Sequence, residues 1–345
     1  MKNGVTLTSP RAPTPISYPA NDPSDMPHAP GGLPGWRGDE ALAGKAAAAL
    51  QTLQGKSSGL SQMLTNLPVA QALAAVGSYD AREGYAQLRP RLRELCATLT
   101  SRHGEQLTLH YGLAMLATLI ADHDKGWRSS ALEAQLEPCF IDSFHRILTA
   151  VARGGAQSLK LDTDAFAKEL AICLYRLIPA GGQLVDPGAA FPRGLLARRP
   201  TRETLAATGY LLFNARGFAP FALFHTSLFQ RHWFTAAGWE FTFHCLPAVF
   251  RSFPRLKGLL AISWFCDPAL REISPELDFV QDIPRRWGAV FLRVGPEPGA
   301  NSDALLLSRH RRQLFEAGRY VPEKYAFVIS RQDILARMEV AQRRV

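Results

Sequence analysis

The sequence predicts an α+β protein in which a helical N-terminal domain precedes a C-terminal α/β domain with a mixed sheet. Three observations carry this. From Asp39 to about Pro179, apolar residues recur at helical spacing, as in Leu42, Ala46, Ala49, Leu50 and Leu53. Between 180 and 205, chain breakers accumulate in Gly181-Gly182, Pro187-Gly188, Pro192-Arg193-Gly194 and Arg199-Pro200. Beyond 205, aromatic and β-branched runs alternate with helix-like ones, which implies a partly parallel sheet with helices packed on it. The expected boundaries are a tail over 1–37, a helical domain over 38–180, a linker over 181–204, the α/β domain over 205–335 and a C-terminal tail over 336–345.

The elements follow in order. Residues 1–37 are rich in Pro, Ser, Gly, Asp and Asn, bury too little apolar surface to offset chain entropy, and are expected to be disordered. Helical runs cover 62–76, 82–100 and 106–122. In the second, Leu88, Leu92, Leu95 and Leu99 form one apolar stripe, and Pro90 starts or kinks the helix. Ser129 or Ser130 is expected to cap a helix through Leu136, which Pro138 interrupts before 140–151 resumes. Asp162-Thr163-Asp164 caps the run 165–177. In the C-terminal half, 219–234 and 239–246 read as half-buried strands. Helix 247–257, strand 259–266, helix 269–282, strand 288–294, helix 302–317 and strand 324–330 follow.

Hydrophobic residues at 47% and charged residues at 20% exclude a low-complexity or fibrous chain. No run approaches the length of an apolar membrane span, and residues 1–6 lack the apolar core of a secretory signal. The five cysteines, at 96, 139, 173, 245 and 266, are scattered without a C-x-x-C spacing. That argues against a zinc ribbon or redox pair and for free thiols in a reducing cytoplasm. The net charge of +9 is mainly arginine. It clusters at Arg193/Arg198/Arg199/Arg202, Arg251/Arg255/Lys257, Arg285/Arg286/Arg293 and Ser308-Arg309-His310-Arg311-Arg312. This suits an anionic partner such as phosphate, a carboxylate, a nucleic acid or an acidic surface, although any one cluster is more simply a solvated face. The aromatics sit in core-like runs and no nucleic-acid module is readable, which argues against nucleic acid.

Chemistry concentrates between Trp239 and Pro268. Two strand-like runs end in His244-Cys245 and in Ser263-Trp264-Phe265-Cys266-Asp267-Pro268, and strand ends are where α/β folds collect ligands. Neighbours on a strand face opposite sides, so the expected pair is His244, as general base, with Cys266 or Asp267 of the adjacent strand. Both Cys245 and Cys266 also read as small core residues. Ser263 lacks the flanking glycines of a nucleophile elbow, and Asp267 before Pro268 is expected to cap the next helix. Arg309 and Arg312 share a helix face while Arg311 points elsewhere. An anion site would need one of that pair to meet Arg255 or Lys257 across the fold. The helical half offers a rival set: His110, Asp122, His123, Asp124, Asp142 and His145. Asp142-x-x-His145 places a carboxylate and an imidazole on one face, as di-iron bundles do, with Glu105, Glu133, Glu137 and Glu169 as further carboxylates. His225 and His232, seven apart on a strand, face opposite sides and make a poor ligand pair.

The order and size of the elements over 205–330 resemble the second half of the GNAT acyltransferase fold, whose sheet splays open around acyl-CoA. The nearest match to that family's Q/R-x-x-G-x-G/A phosphate loop is Arg255-Leu256-Lys257-Gly258-Leu259-Leu260-Ala261. Its last residue falls one place too far along, and it leads into a strand rather than a helix. The resemblance implies an acyltransferase that moves an acyl group from a CoA-type thioester to a small amine or hydroxyl. Arg255, Lys257 and Gly258, with Arg309 and Arg312, would bind the donor; His244 would be the base, and Tyr320 or Tyr325 the acid for the leaving thiolate. The block also resembles a group of bacterial proteins, which implies a source and no activity. Two rivals stand beside this: a non-haem iron oxygenase using the helical His/Asp set, and a secreted effector or binding protein with its Pro/Ser-rich tail as export or docking segment.

Overall fold

The computed structural model describes residues 40–76, 84–154, 157–197, 201–226, 233–297, 299 and 302–342. The expected tail over 1–37, Arg198, Arg199 and His232 lie outside the described residues. The N-terminal half is helical: α1 (Glu40–Lys56), α2 (Leu60–Asn66), α3 (Val69–Val76), α4 (Leu88–His103), α5 (Glu105–Ala121), α6 (His123–Ser130), α7 (Glu137–Ala152) and α8 (Asp164–Cys173). Helix α5 is apolar all round because it is the central helix, buried continuously from Thr108 to Ala117. Helix α4 buries Leu88, Leu92 and Leu99, the expected stripe. Thr163 caps α8 by accepting a hydrogen bond from the Phe166 amide. Two local expectations change. Ser130 ends α6, with Ala131 in the left-handed region, instead of capping a helix. Pro138 sits in the first turn of α7, where its missing N–H costs nothing, and so begins that helix rather than interrupting one.

The segment 181–204 is no linker. Strands β1 (Ile178–Ala180) and β2 (Gln183–Ala189) pair antiparallel around Gly181-Gly182. Ala180 faces Gln183, so the glycines form a two-residue hairpin loop, with Gly181 at φ +60. Then come α9 (Gly194–Ala197), α10 (Arg202–Phe213), β3 (Phe221–His225), α11 (Ala236–Ser252), β4 (Gly258–Ser263), α12 (Leu270–Ile273), α13 (Phe279–Arg286), β5 (Val290–Pro296), α14 (Asp303–Leu306), α15 (Arg309–Glu316), β6 (Glu323–Ser330) and α16 (Arg331–Gln342). Residues 336–342 therefore continue a helix instead of trailing as a tail.

The largest correction is α11. Residues 239–246, expected as a strand, are helical, and the strand expected over 219–234 stops at His225. The reason is packing. Trp239, Thr242, Phe243, Leu246 and Phe250 are all buried, and they recur at helical spacing on one face. Burying Phe243, Leu246 and Phe250 stabilises by about 1.5–3 kcal/mol each. That outweighs the roughly 3 kcal/mol that Pro247 costs inside a helix.

The six strands form one sheet in the order β1-β2-β3-β4-β6-β5. Every neighbouring pair is antiparallel except β3 and β4, which α11 connects in parallel. One face joins the helical half: Leu53, Leu92 and Phe144 share a core cluster with Phe243, Phe250 and Phe327. The other face packs Phe221, Leu260, Leu292 and Val328 beneath Ala207 and Leu211 of α10. An α+β architecture with a mixed sheet is thus what the chain adopts. Among the described residues, no helix is long and apolar enough to cross a membrane.

Candidate functional site

The site follows from how the one parallel pair ends. Strands β3 and β4 are in register at Ala222–Leu259 and Leu223–Leu260 and no further. Past that point β3 stays with β2 through Phe224 and His225, while β4 stays with β6 through Ala261, Ile262 and Ser263. Each half-sheet holds together and the seam between them opens. A cavity of about 270 Å³ lies there, lined from one side by His225 and Thr226 and from the other by Ala261, Ile262 and Ser263.

The cavity gathers polar atoms that the protein leaves unpartnered. Gln183, 2% exposed, accepts a hydrogen bond at Oε1 from the Thr226 hydroxyl at 3.3 Å, and its Nε2 has no partner. Trp239 Nε1 and Glu297 Oε2 make no hydrogen bond either, His225 Nε2 has only the Asp186 carboxylate at 3.7 Å, and all four residues line the cavity. Glu297 Oε1 pairs with Lys324 at 3.3 Å. An unmade buried hydrogen bond costs about 1–3 kcal/mol. The residues around the cavity thus carry buried polar groups whose hydrogen bonds are unmade.

His225 is held from behind. Its Nε2 lies 3.7 Å from Oδ2 of Asp186, a β2 carboxylate 4% exposed. Asp186 is fixed by the amides of Tyr85 and Gly188, both at 3.0 Å. Gly84 is required beside it, because a Cβ there would lie 2.4 Å from Asp186 Oδ2. The Tyr85 ring meets the His225 ring edge-on at 5.0 Å, and its hydroxyl donates to Asp164 at 3.1 Å. Burial pushes the Asp164 carboxyl up, but Lys168 at 3.0 Å, with Tyr85 and Arg89, holds it below the ordinary value. The helical half thus braces the imidazole at the end of β3.

The expected site residues are distributed otherwise. His244 is exposed on α11, edge-on to Trp287 at 5.8 Å, and does not line the cavity. Its neighbour Cys245 is buried against Cys139, and that contact with burial pushes its thiol well above the ordinary value. Cys266 does line the cavity, yet burial pushes its thiol up to about 12. At pH 8 only about one thiol in ten thousand would be ionised. Iodoacetamide at pH 8 is accordingly expected to leave Cys266 unmodified in the folded protein and to label it in urea, read by peptide mass. Asp267 does not cap the next helix, whose N-cap is Ala269 without a side-chain bond; it closes the turn before it, accepting the Ala269 amide at 3.0 Å, and it also accepts the Tyr320 hydroxyl at 3.1 Å. Tyr320 is consequently engaged and buried, and Tyr325 pairs with Ser263 on the sheet. Neither tyrosine lines the cavity.

The expected anion set does not assemble. Arg255 is exposed before β4. Gly258 is there for packing, since a Cβ would lie 2.1 Å from the Ile329 carbonyl oxygen, and the Lys257 amide donates to the Pro220 carbonyl. Gly258 opens β4 and the other two precede it, three residues or more, about 10 Å of strand, from the first cavity-lining residue, Ala261. Arg309 and Arg312 are exposed on α15. The buried member of that cluster is Arg311, 4% exposed, stacked on Trp264 at 4.8 Å and donating to Ala304 O and Ser274 Oγ. In the helical half, His110 bonds Gln106 at 2.8 Å, His123 bonds Tyr175 at 2.6 Å, and His145 meets Lys45 at 3.5 Å. Glu133 pairs with Arg251 and Glu169 with Arg146. Among the described residues, no three His, Cys, Asp or Glu side chains converge as a metal site would require.

Gln183, Asp186 and Glu297 were not singled out by the sequence, and His225 figured there only as an unsuitable ligand. No family model, no curated protein and no solved structure matches this chain.

Proposed function

We propose that the protein is an acyltransferase, moving an acyl group from a CoA-type thioester to a small amine or hydroxyl. The observation that carries this reading is the parting of β3 and β4 after two registered pairs, with a polar-lined cavity between them. Two strand edges that cease to pair offer backbone groups to an extended, amide-bearing arm, which is what the pantetheine portion of such a donor is. A single parallel seam that opens in an otherwise antiparallel sheet also fits the GNAT resemblance. The first turn of α11, carrying Trp239 into the cavity, brings a partial positive charge to the end where an anionic donor would extend. At about 270 Å³ the cavity suits the reacting end of a donor and a small acceptor, since whole drug-sized ligands take about 300–1,000 Å³.

His225 replaces His244 as the base in this reading. It lines the cavity and is backed by a carboxylate, so it would take the proton from the acceptor as the acceptor attacks the thioester carbon. Arg255, Lys257, Gly258, Arg309 and Arg312 drop out of donor binding. The test is a melting-temperature series with acetyl-CoA, octanoyl-CoA and free CoA, followed by mass-spectrometric assay of acyl transfer to a panel of small amines and alcohols. A rise with the CoA series and acylated product support the reading. Indifference of the melting temperature to all three overturns it.

A further inference from the structure

The cluster Ser308-Arg309-His310-Arg311-Arg312 takes no part in the cavity, and the fold uses only one of its cations. Arg311 turns inward, 4% exposed against Trp264, and so fixes the roll of α15. On the helix surface Arg309 lies opposite it, with Arg312 and His310 on the flanks, and all three are exposed. The surface arginines Arg251, Arg271, Arg285, Arg286 and Arg293 each meet a carboxylate, whereas among the described residues Arg309, His310 and Arg312 meet none. The two arginines also stand at the wrong end of their helix. First-turn cations face the positive pole of the helix dipole, and that turn holds no acidic residue to offset them. At i, i+3 they repel each other as well.

Apolar side chains share this corner. Leu306 and Leu307 stand at the end of α14, immediately before the Ser308 cap of α15, and are 52% and 48% exposed. We propose that the corner between α14 and α15 docks on the surface of an anionic lipid bilayer, with Arg309 and Arg312 at the headgroup phosphates and Leu306 and Leu307 at the acyl boundary. Unpaired cations fit any polyanion, but the phosphates of a nucleic acid or the carboxylates of an acidic peptide leave the two leucines in water. A bilayer places anionic headgroups directly over an apolar layer, and so receives both kinds of side chain.

Both contributions count. An arginine at an anionic leaflet is worth about fivefold in partitioning. A half-exposed leucine that leaves water adds about fivefold to tenfold. Two of each make a reversible contact rather than a permanent anchor. Docking goes beyond the acyl-transfer reading and does not depend on it. It does bear on where the cavity lies. Asp303, three residues before Leu306 on α14, lines the cavity, so the docked protein holds that rim near the bilayer.

The experiment floats the full chain with vesicles of phosphatidylcholine alone and of phosphatidylcholine mixed with phosphatidylglycerol, at low and high sodium chloride. Wild type should partition to the mixed vesicles at least about twentyfold more strongly than to the neutral ones, and salt should remove most of that difference. Arg309→Glu with Arg312→Glu should cost at least about twentyfold on mixed vesicles, and Leu306→Ser with Leu307→Ser about tenfold or more. Arg202→Glu with Arg255→Glu makes the same change of net charge at exposed positions elsewhere, and should stay within about threefold of wild type. All of these side chains are exposed, so melting temperatures should match wild type. If either pair fails to fold, Arg309→Glu or Leu306→Ser alone carries the comparison. Equal binding to both kinds of vesicle overturns the docking surface, as do equal losses from the two arginine pairs. Binding that the leucine pair leaves untouched overturns it too, and with capture of polyuridylate would mark a plain polyanion site instead.

Discussion

Under the acyl-transfer proposal, His225→Ala is expected to lower kcat/KM about 10²–10⁴-fold, the usual contribution of a positioned general base. His244→Ala is expected to stay within about twofold of wild type, as exposed substitutions away from a site do. The contrast comes from where the two imidazoles lie. His225 ends β3 at the opened seam with Asp186 behind it, and His244 projects from the outer side of α11. Asp186 acts through His225, so Asp186→Asn should give an intermediate loss, and added imidazole should restore part of the activity of His225→Ala. A structural role for His225 predicts the reverse: a lowered melting temperature, unchanged kcat at low temperature and no response to imidazole. Full activity in His225→Ala removes the base from the mechanism.

The sequence made the order of the architecture readable because helical periodicity survives in α1, α4 and α8, and the strands β4, β5 and β6 keep short apolar runs between breakers. It misread two places for physical reasons. Residues 239–246 carry aromatic and β-branched side chains, which strands favour, but tertiary burial at 3.6-residue spacing decided for a helix. Reading Trp239, Phe243 and Leu246 as i, i+4 and i+7 would have given α11, and with it the exposure of His244. The glycine- and proline-rich stretch after 180 looked like a boundary. Yet apolar pairs flank Gly181-Gly182 on both sides, in Leu177-Ile178 and Leu184-Val185, which is a hairpin signature. The site suffered more, because it is made across the sheet. Gln183 and Asp186 come from β2, His225 from β3, Trp239 from α11 and Glu297 from the loop after β5, and no local pattern ties these four segments. The idea of a seam opening in the sheet came from element order; which residues face it depends on pairing register, which one strand at a time does not reveal.

Glu169→Ala is expected to cost about 3–5 kcal/mol of folding stability, read as a drop in the urea midpoint. Glu169 is 1% exposed and receives both arms of Arg146, at 2.9 and 2.7 Å, which staples α8 to α7. Removing the carboxylate takes the Glu169 charge away from a guanidinium only 20% exposed, whereas Arg146→Met with Glu169→Leu deletes both charges and should come close to wild type. Loss of Glu169 should also lower the Cys173 thiol, which burial first and the Glu169 charge second push well above the ordinary value. The consequence for the site is indirect. Lys168, the next residue on α8, reaches Asp164 at 3.0 Å and the Thr226 carbonyl at 3.5 Å, at the cavity wall. Well below its melting temperature, Glu169→Ala should therefore keep most of its kcat, and it should lose activity in step with unfolding as temperature rises. A urea midpoint equivalent to less than about 1 kcal/mol of loss would mean that the pair is solvated as a surface bridge is, and that α8 is held by its apolar face alone.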